Sequence, residues 1–387
     1  MKDYDIAVVG AGPVGSTFAR YAAEKGLKVA IFEKKKEVGV PLQCAGLLGK
    51  KIKDVNILPD EFILNEMYGA CAYSPSGTMI SMRKNEPFAY VLDRIGYDKF
   101  LAQLAVDKGA ELFLNHRVNR VDTKNGVIYL KDKEVSAEII VGADGHSSVV
   151  SKEVKNNPKS VHASQYLIDT GENSFEDDYF QTYFNSEISP GFIWVIPLSK
   201  STARVGLFAN SDYQGLNGIL NKFLEGNEKL KHAKILKKYH GIIPVYDPKK
   251  SIVKNRALLI GDAASQVKPT TGGGLVIGFV CAKIAAEVVY EAINSNKINV
   301  LKNYQKQYRK MYNTELKMQL KVQETLKSLN DDDLNSVFLK LEEKEIGKIV
   351  SKCGDLDSQS PLMKELLKSG LIFSVLPKLL SRKIFGL

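Results

Sequence analysis

The chain contains few of the residues that hold metals or build disulfide frameworks. Its 387 residues include four cysteines and five histidines. Cys44, Cys71, Cys281 and Cys353 are far apart and form no C-x-x-C pair. This spacing argues against a structural zinc or iron–sulfur site, so we expect no metal centre. Scarce cysteine is also typical of a reducing cytosol.

Long apolar runs are missing as well. The most apolar stretch, 272–290, contains Lys283 and Glu287 and predicts a buried helix rather than a span across a bilayer. The first strand pattern begins within a few residues of Met1, which leaves no room for a signal peptide. We therefore expect a cytoplasmic protein.

The charge balance is basic. Lys and Arg number 54 against 44 Asp and Glu, which gives a formal net charge of +10. Such an excess favours anionic partners. The lysines are scattered and no nucleic-acid-binding motif is present, so we expect phosphorylated substrates or acidic lipid surfaces and no nucleic acid.

A glycine-rich turn between two apolar segments is the most informative feature of the chain. Residues 6–9 and 29–32 predict buried strands, and G-A-G-P-V-G follows the first of them. Gly10 permits a tight turn, Gly12 lets the backbone approach a pyrophosphate, and Gly15 allows the next helix to pack closely. This pattern indicates a dinucleotide site, and the alternative is a glycine-rich turn without a ligand.

Three charged residues follow at positions that suit such a ligand. Glu33, at the end of the second strand, can accept hydrogen bonds from a ribose and repel a 2′-phosphate. Arg94 begins a predicted helix and can neutralise a pyrophosphate, or can be a surface arginine paired with Asp93 or Asp98. Asp144 lies between two glycines at a strand end, beside a cofactor or in an ordinary tight turn.

The last such element is Asp262 with the glycines of 272–274. Asp262 follows an apolar strand and can bind a ribityl hydroxyl. The glycines begin a long apolar helix, whose N-terminus carries roughly half a positive charge that would stabilise a reduced flavin; the alternative is a flexible loop. Together these elements predict an FAD site. No second G-x-G-x-x-G is present, so we expect electrons from transiently docked NAD(P)H or from a reduced carrier such as ferredoxin.

The order of these patterns predicts an α/β fold with an inserted α+β part. We expect a Rossmann-type FAD-binding domain, an antiparallel-sheet substrate domain and a helical C-terminal region. The predicted bounds are 1–65, 93–155 and 256–295 for the FAD-binding domain, 66–92 and 156–255 for the substrate domain, and 296–387 for the helical region.

Two further motifs relate the chain to a known family. Residues 41–46 read P-L-Q-C-A-G, similar to P-x-x-C-x-G, and residues 192–197 read F-I-W-V-I-P, similar to Y-x-W-x-F-P. With the elements above, they resemble the geranylgeranyl reductase family of the p-hydroxybenzoate-hydroxylase fold class, particularly the archaeal enzymes that saturate digeranylgeranylglycerophospholipids. Phe192 replaces Tyr and Ile196 replaces Phe, so the segment that shapes the isoprenoid cavity stays apolar.

The resemblance implies that reduced FAD delivers hydride from N5 to the double bonds of geranylgeranyl chains in archaeal membrane lipid precursors. Cys44 is the candidate catalytic residue, for proton delivery or gating, and the alternative is an inert small hydrophobe. The implied flavin contacts, joined to Gly10 and Gly12, are Gly15, Glu33, Cys44, Ala45, Leu47, Arg94, Val118, Asp262, Gly274 and Leu275. The implied contacts to the prenyl chain are Phe192, Trp194 and Pro197.

Other interpretations stay open at this point. A flavin monooxygenase of the same fold, or a non-catalytic flavoprotein that binds prenyl lipids, would share most of these features. The aromatic residues of 179–184 fit either a tunnel wall or a sandwich core. The tail 366–387 is apolar and basic and fits either an anionic membrane surface or a docked helix. With a lipid substrate, we expect a peripheral protein at the inner face of the membrane.

Overall fold

The computed structural model describes residues 2–368. Its strands, in chain order, are β1 Tyr4–Val9, β2 Val29–Phe32, β3 Leu47–Gly49, β4 Ile63–Met67, β5 Gly69–Tyr73, β6 Met79–Arg83, β7 Ala89–Leu92, β8 Glu111–Phe113, β9 Arg120–Asp122, β10 Val127–Tyr129, β11 Glu134–Gly142, β12 Ser160–Asp169, β13 Tyr179–Tyr183, β14 Ile193–Pro197, β15 Thr202–Ala209, β16 Lys234–Pro244, β17 Val253–Lys254 and β18 Ala257–Leu259. Its α-helices are α1 Pro13–Glu24, α2 Ile52–Val55, α3 Arg94–Asp107, α4 Val149–Val154, α5 Tyr213–Gly226, α6 Leu275–Asn294, α7 Lys302–Leu326, α8 Asp331–Glu343, α9 Ile346–Cys353 and α10 Ser360–Lys368.

The first sheet is parallel at its centre and carries the glycine-rich turn. Strands β18, β11, β1, β2 and β8 lie side by side and run parallel, and β17 adds an antiparallel edge. Apolar side chains of these strands share one core with α1, α3 and α6. Parallel strands require such helical connections, because the chain must return to the same end of the sheet. The predicted α/β class is therefore confirmed.

The second sheet has the order β16-β12-β15-β14-β13-β5-β6. Its neighbours are antiparallel, as expected, except that β13 and β5 run parallel. No hairpin sets the direction of β5 relative to β13, because these two strands come from separate parts of the chain. Helix α5 packs its buried leucines against one face of this sheet. The other face is directed toward the loop that contains Cys44.

A third, three-stranded sheet has the order β3-β7-β4 and joins the two halves of the molecule. The stretch 66–92 therefore supplies β5 and β6 to one sheet and β7 to another. The division of the chain into domains stays a prediction, since this stretch belongs to neither sheet alone.

Helices α8 and α9 pack on β6, whereas α7 packs on α6 and on the segment that precedes it. Lys268 of that segment forms a buried ion pair with Asp357, with Nζ 2.9 Å from Oδ1. Within residues 2–368, no helix is both long and apolar enough to cross a membrane. The tail 366–387 is expected at a membrane surface. Its residues from 369 onward lie outside the part of the chain that the structure describes.

A buried polar chain ties α7 to the turn after β18. The side chain of Gln266 accepts a hydrogen bond from the backbone N–H of Gly261 at 2.8 Å and donates one to the Tyr304 hydroxyl at 2.7 Å. Gln266 and Tyr304 are fully buried. Neither group can turn to water if its partner is lost.

We predict that Tyr304→Phe lowers the free energy of unfolding by about 1–3 kcal/mol, because it leaves the buried Gln266 amide without its acceptor. Tyr308→Phe is the matched control, since the Tyr308 hydroxyl is buried without a partner among the described residues. The control should be neutral or stabilising. Urea unfolding of both variants measures the difference, and equal losses would contradict the role of this chain.

Candidate functional site

The glycine-rich turn is shaped by close backbone contacts. A Cβ on Gly15 would lie 2.3 Å from the carbonyl oxygen of Gly10, and Gly10 itself has a φ of +102°. Side chains are therefore excluded at both positions. Gly12 differs, because no atom lies within 4 Å of its Cβ position. Its backbone borders open space, which is the setting that the sequence predicts for a residue beside a pyrophosphate.

Glu33 holds this turn in place from the end of β2. Its Oε2 accepts a hydrogen bond from the backbone N–H of Ala11 at 2.9 Å. Its Oε1 accepts one from the backbone N–H of Lys35 at the same distance. The side chain is buried, and the bond to Ala11 is shielded from water. The residue predicted to bind a ribose thus also fixes the loop next to it.

Arg94 pairs with Asp98, as one reading of the sequence allows, but in the interior and not at the surface. Nε and Nη2 each lie 3.0 Å from a different oxygen of the Asp98 carboxylate, one helical turn away. Burial opposes the charge of Arg94, yet the Asp98 carboxylate keeps the pKa of Arg94 raised. Nη1 has no hydrogen-bond partner among the described residues, so one edge of the guanidinium stays available.

Asp262 lies next to the start of α6. A Cβ on Gly274 would stand 3.4 Å from Oδ1 of Asp262, and α6 begins at Leu275 without a side-chain cap. The Asp262 side chain is exposed, but protein surrounds it on several sides and raises its pKa to about 6, against a smaller opposing effect of Arg94. An accessible acid and a bare helix N-terminus therefore meet at one point.

The other predicted flavin residues lie in different surroundings. Asp144 Oδ2 accepts a hydrogen bond from the N–H of Val149 at 2.7 Å, at the start of α4, and Oδ1 is buried without a partner among the described residues. Burial raises the pKa of Asp144, against opposing hydrogen bonds. The Val118 side chain is packed in the core of the first sheet. Its contact with the flavin stays a prediction.

The Cys44 loop is the segment 33–46 between β2 and β3. It reaches the second sheet at Ala45, whose carbonyl oxygen accepts a hydrogen bond from Arg204 of β15. The Cys44 thiol is half-buried, and its Sγ is 3.4 Å from the backbone nitrogen of Gly46. Cys44 is within electrostatic range of two buried guanidinium groups, those of Arg94 and Arg204. Arg204 is not among the site residues predicted from the sequence. Its signal was an arginine within the otherwise apolar run A-R-V-G-L-F of β15.

An apolar cluster on the second sheet faces this loop. We call it the Trp194 cluster, and Ala45, Leu47 and Phe192 pack against its buried members. The Trp194 indole fills the space left by Gly206 and donates a hydrogen bond to Gln165 at 3.0 Å. The buried members of the cluster are Met67, Phe88, Ala89, Val91, Phe180, Trp194, Ile196 and Phe208.

Strand alternation divides the predicted prenyl contacts. Phe192 and Trp194 belong to the face of the Trp194 cluster, whereas Pro197 falls on the opposite face by its position in β14. The aromatic residues of β13 divide in the same way. Phe180 joins the Trp194 cluster, and Tyr183 packs against the α5 side of the sheet. Both faces of β13 thus contribute to apolar clusters, and the tunnel wall stays a prediction for the face that bears Phe180.

The described residues hold no group of three Cys, His, Asp or Glu side chains that could bind a metal ion. What the structure brings together is instead the glycine-rich turn, Arg94, Asp262 and the start of α6, with the Cys44 loop between them and the Trp194 cluster.

Comparison with known proteins places this arrangement in a family. The family model described as lycopene cyclase protein matches residues 5–360. A digeranylgeranylglycerophospholipid reductase of Methanococcoides burtonii is 34% identical over 364 residues, which cover 88% of this chain and 89% of the relative.

Solved structures agree with this result. A geranylgeranyl bacteriochlorophyll reductase-like protein of Thermoplasma acidophilum superposes with a TM-score of 0.84 at 29% identity, over 97% of this chain and 99% of the other. A flavin-dependent brominase shares the fold, with a TM-score of 0.68 at 17% identity over 95% and 98% of the two chains. The resemblance seen in the sequence is therefore confirmed, and this chain belongs to the digeranylgeranylglycerophospholipid reductase family.

Proposed function

We propose that this protein is an FAD-dependent reductase that saturates the double bonds of geranylgeranyl chains in glycerophospholipid precursors of archaeal membranes. One observation carries the proposal. On one side of the Cys44 loop lies the site with Arg94 and the glycine-rich turn. On the other side, Ala45 of the loop and the adjoining Leu47 of β3 pack against the Trp194 cluster. A site for an anionic cofactor thus adjoins an apolar wall for a prenyl chain. The substrate class is supported by the name of the Methanococcoides relative.

The residues of the first half-site fit FAD. We assign the pyrophosphate to the open backbone at Gly12 and the free edge of Arg94, and the ribose to Glu33. Asp262 would bind a ribityl hydroxyl, and the bare N–H groups at Gly274–Leu275 would face the ring. In its reduced form, FAD supplies the hydride that the reaction needs. Val118, whose side chain is packed in the core, stays a predicted contact that rests on the resemblance alone.

Residues of the protein must align the substrate and supply the proton. An isolated trisubstituted alkene has no carbonyl that a protein could polarise, so rate depends on alignment and on a proton for the second carbon. Apolar side chains of the Trp194 cluster, with Phe192, exclude water and align the prenyl chain. The Cys44 thiol is half-buried at the border of this cluster, and we assign it proton delivery.

A single-turnover experiment tests the function. The purified protein, reduced with dithionite under argon, is mixed with digeranylgeranylglycerophospholipid in detergent micelles, and the lipid is analysed by mass spectrometry. We expect paired hydrogen additions that consume the reduced flavin. Unchanged lipid would refute the reductase, and incorporation of an oxygen atom on admission of air would identify a monooxygenase instead.

We further propose that the protein works at the inner face of the membrane and receives electrons from NAD(P)H or from a reduced carrier such as ferredoxin. The net charge of +10 supports attraction to anionic lipid, at about 1 kcal/mol for each basic residue near the surface. Co-sedimentation with anionic vesicles that falls with salt, and none with zwitterionic vesicles, is expected. Stopped-flow flavin reduction by each donor identifies the physiological one.

Two glycine variants separate folding from cofactor binding. Gly15→Ala should cost about 1–3 kcal/mol of stability, because its methyl group would collide with the Gly10 carbonyl. Gly12→Ala should keep the unfolding curve, since no protein atom is near, but should weaken FAD binding about tenfold or more, equivalent to at least 1.4 kcal/mol. Fluorescence titration of apoprotein with FAD measures the second effect. Full FAD affinity in Gly12→Ala would contradict the placement of the pyrophosphate.

We predict that Cys44→Ala keeps FAD and fold but slows prenyl reduction roughly 100-fold, because the proton donor beside the flavin is lost. Cys281→Ala is the matched control, since Cys281 is buried in the core of α6, remote from the Trp194 cluster. Single-turnover rates at several pH values measure the effect. Reduction at the wild-type rate in Cys44→Ala would remove the thiol from the chemistry.

A further inference from the structure

Arg204 is a buried cation with an unusual set of partners. It lies in β15 on the face of the sheet that bears the Trp194 cluster, two residues before Gly206. Only 6% of its surface is exposed. Arg94 is matched by a carboxylate, but among the described residues no Asp or Glu lies within ion-pair distance of Arg204. Burial lowers the pKa of Arg204, with Cys44 among the neighbours that oppose this effect.

The partners of Arg204 are backbone carbonyl groups of the Cys44 loop and of β7. Nη1 donates hydrogen bonds to the carbonyl oxygen of Ala45 at 2.7 Å and to that of Leu92 at 3.2 Å. The Leu92 N–H in turn donates to the carbonyl oxygen of Gly46 at 2.9 Å. One guanidinium nitrogen therefore bridges the residue after Cys44 to the end of the three-stranded sheet.

Gly46 is adapted to this bridge. Its φ is +79°, and a Cβ at this position would lie 2.2 Å from Nη1 of Arg204. A side chain would displace the guanidinium from the loop. The loop and the arginine thus fit each other directly, and the backbone on either side of the bridge determines where the Cys44 thiol points.

The physics of the bridge favours a fixed loop. Hydrogen bonds from a charged donor are stronger than neutral ones, and Arg204 is buried. A loop with a half-buried thiol could otherwise shift by an ångström, and a misplacement of that size can cost roughly 100-fold in rate.

We propose that Arg204 is a positioning residue, which fixes the Cys44 loop between flavin and prenyl chain through the Ala45 and Leu92 carbonyl groups. The proposal rests on the proposed function for its effect on reduction. The effect on the geometry around the Cys44 thiol is independent of that function.

The experiment compares Arg204→Met and Arg204→Lys with Arg256→Met, all in a Cys353→Ser background. Arg256 pairs with Glu138 far from the loop, and Cys71 and Cys281 are buried, so iodoacetamide alkylation reports on Cys44. We expect both Arg204 variants to retain FAD, to change the alkylation rate at least about threefold and to slow single-turnover prenyl reduction roughly tenfold or more. Lys keeps the charge but lacks the planar fork, so a loss in Arg204→Lys assigns the effect to the bridge.

Several results would overturn the proposal. Alkylation and reduction rates in Arg204→Met within twofold of those in Arg256→Met would remove the bridge from the mechanism. If Arg204→Met does not fold, the same comparison with Arg204→Lys decides. If the unaltered protein reduces no prenyl lipid, the proposed function fails, while unchanged alkylation rates would separately refute the fixed loop. Partial recovery of the reduction rate in Arg204→Ala by added guanidinium is the supporting result that a general loss of stability would not give.

Discussion

A methyl group at Gly15 would stand 2.3 Å from the carbonyl oxygen of Gly10, so α1 begins in direct contact with the turn after β1. This contact sets the position of Val14, in the first turn of α1. A Cβ on Gly278 would lie only 2.5 Å from the Val14 side chain, and one on Gly261 3.3 Å from it. The closeness of α1 to β1 is thereby transmitted to α6 and to the turn after β18. Helix α1 meets α6 and the turn after β18, which are distant from it in sequence, because small residues allow the backbones to approach.

Two buried arginines then give this junction its charge, in different ways. Arg94 is neutralised locally by the bidentate carboxylate of Asp98. Within residues 2–368, the hydrogen bonds of Arg204 go to carbonyl groups and no carboxylate lies within ion-pair distance of it. Burying an unmatched cation costs free energy, and proteins keep such groups where an anion or an electron-rich ring comes to meet them. The proposed cofactor, with its pyrophosphate and its reduced ring, is such a partner.

Local patterns predicted a large part of this fold. The strands β1 and β2 and helix α3 follow from periodicity and turn residues within a few positions of each element. The alternation within β14 also predicts that its residues cannot all contact one prenyl chain. Since Trp194 and Pro197 differ by three positions, they point to opposite faces of a strand. Arg204 is a different case, because its partners at Ala45 and Leu92 come from remote parts of the chain, and no local pattern brings them together.

The apolar wall explains why positioning must come from the loop. Under the proposed function, burial of a prenyl chain against the Trp194 cluster would be worth about 25 cal/mol per Å², with no preferred direction along the prenyl chain. Each isoprene unit offers nearly the same surface, so the wall alone holds many registers of the substrate about equally well. Selection of the double bond that reacts therefore falls to the fixed polar groups at the end of the wall. In the proposed function Cys44 is the first of these, and a loop held by Arg204 would give it one place relative to the ring. On this view one protein can reduce successive double bonds of a chain without a separate subsite for each.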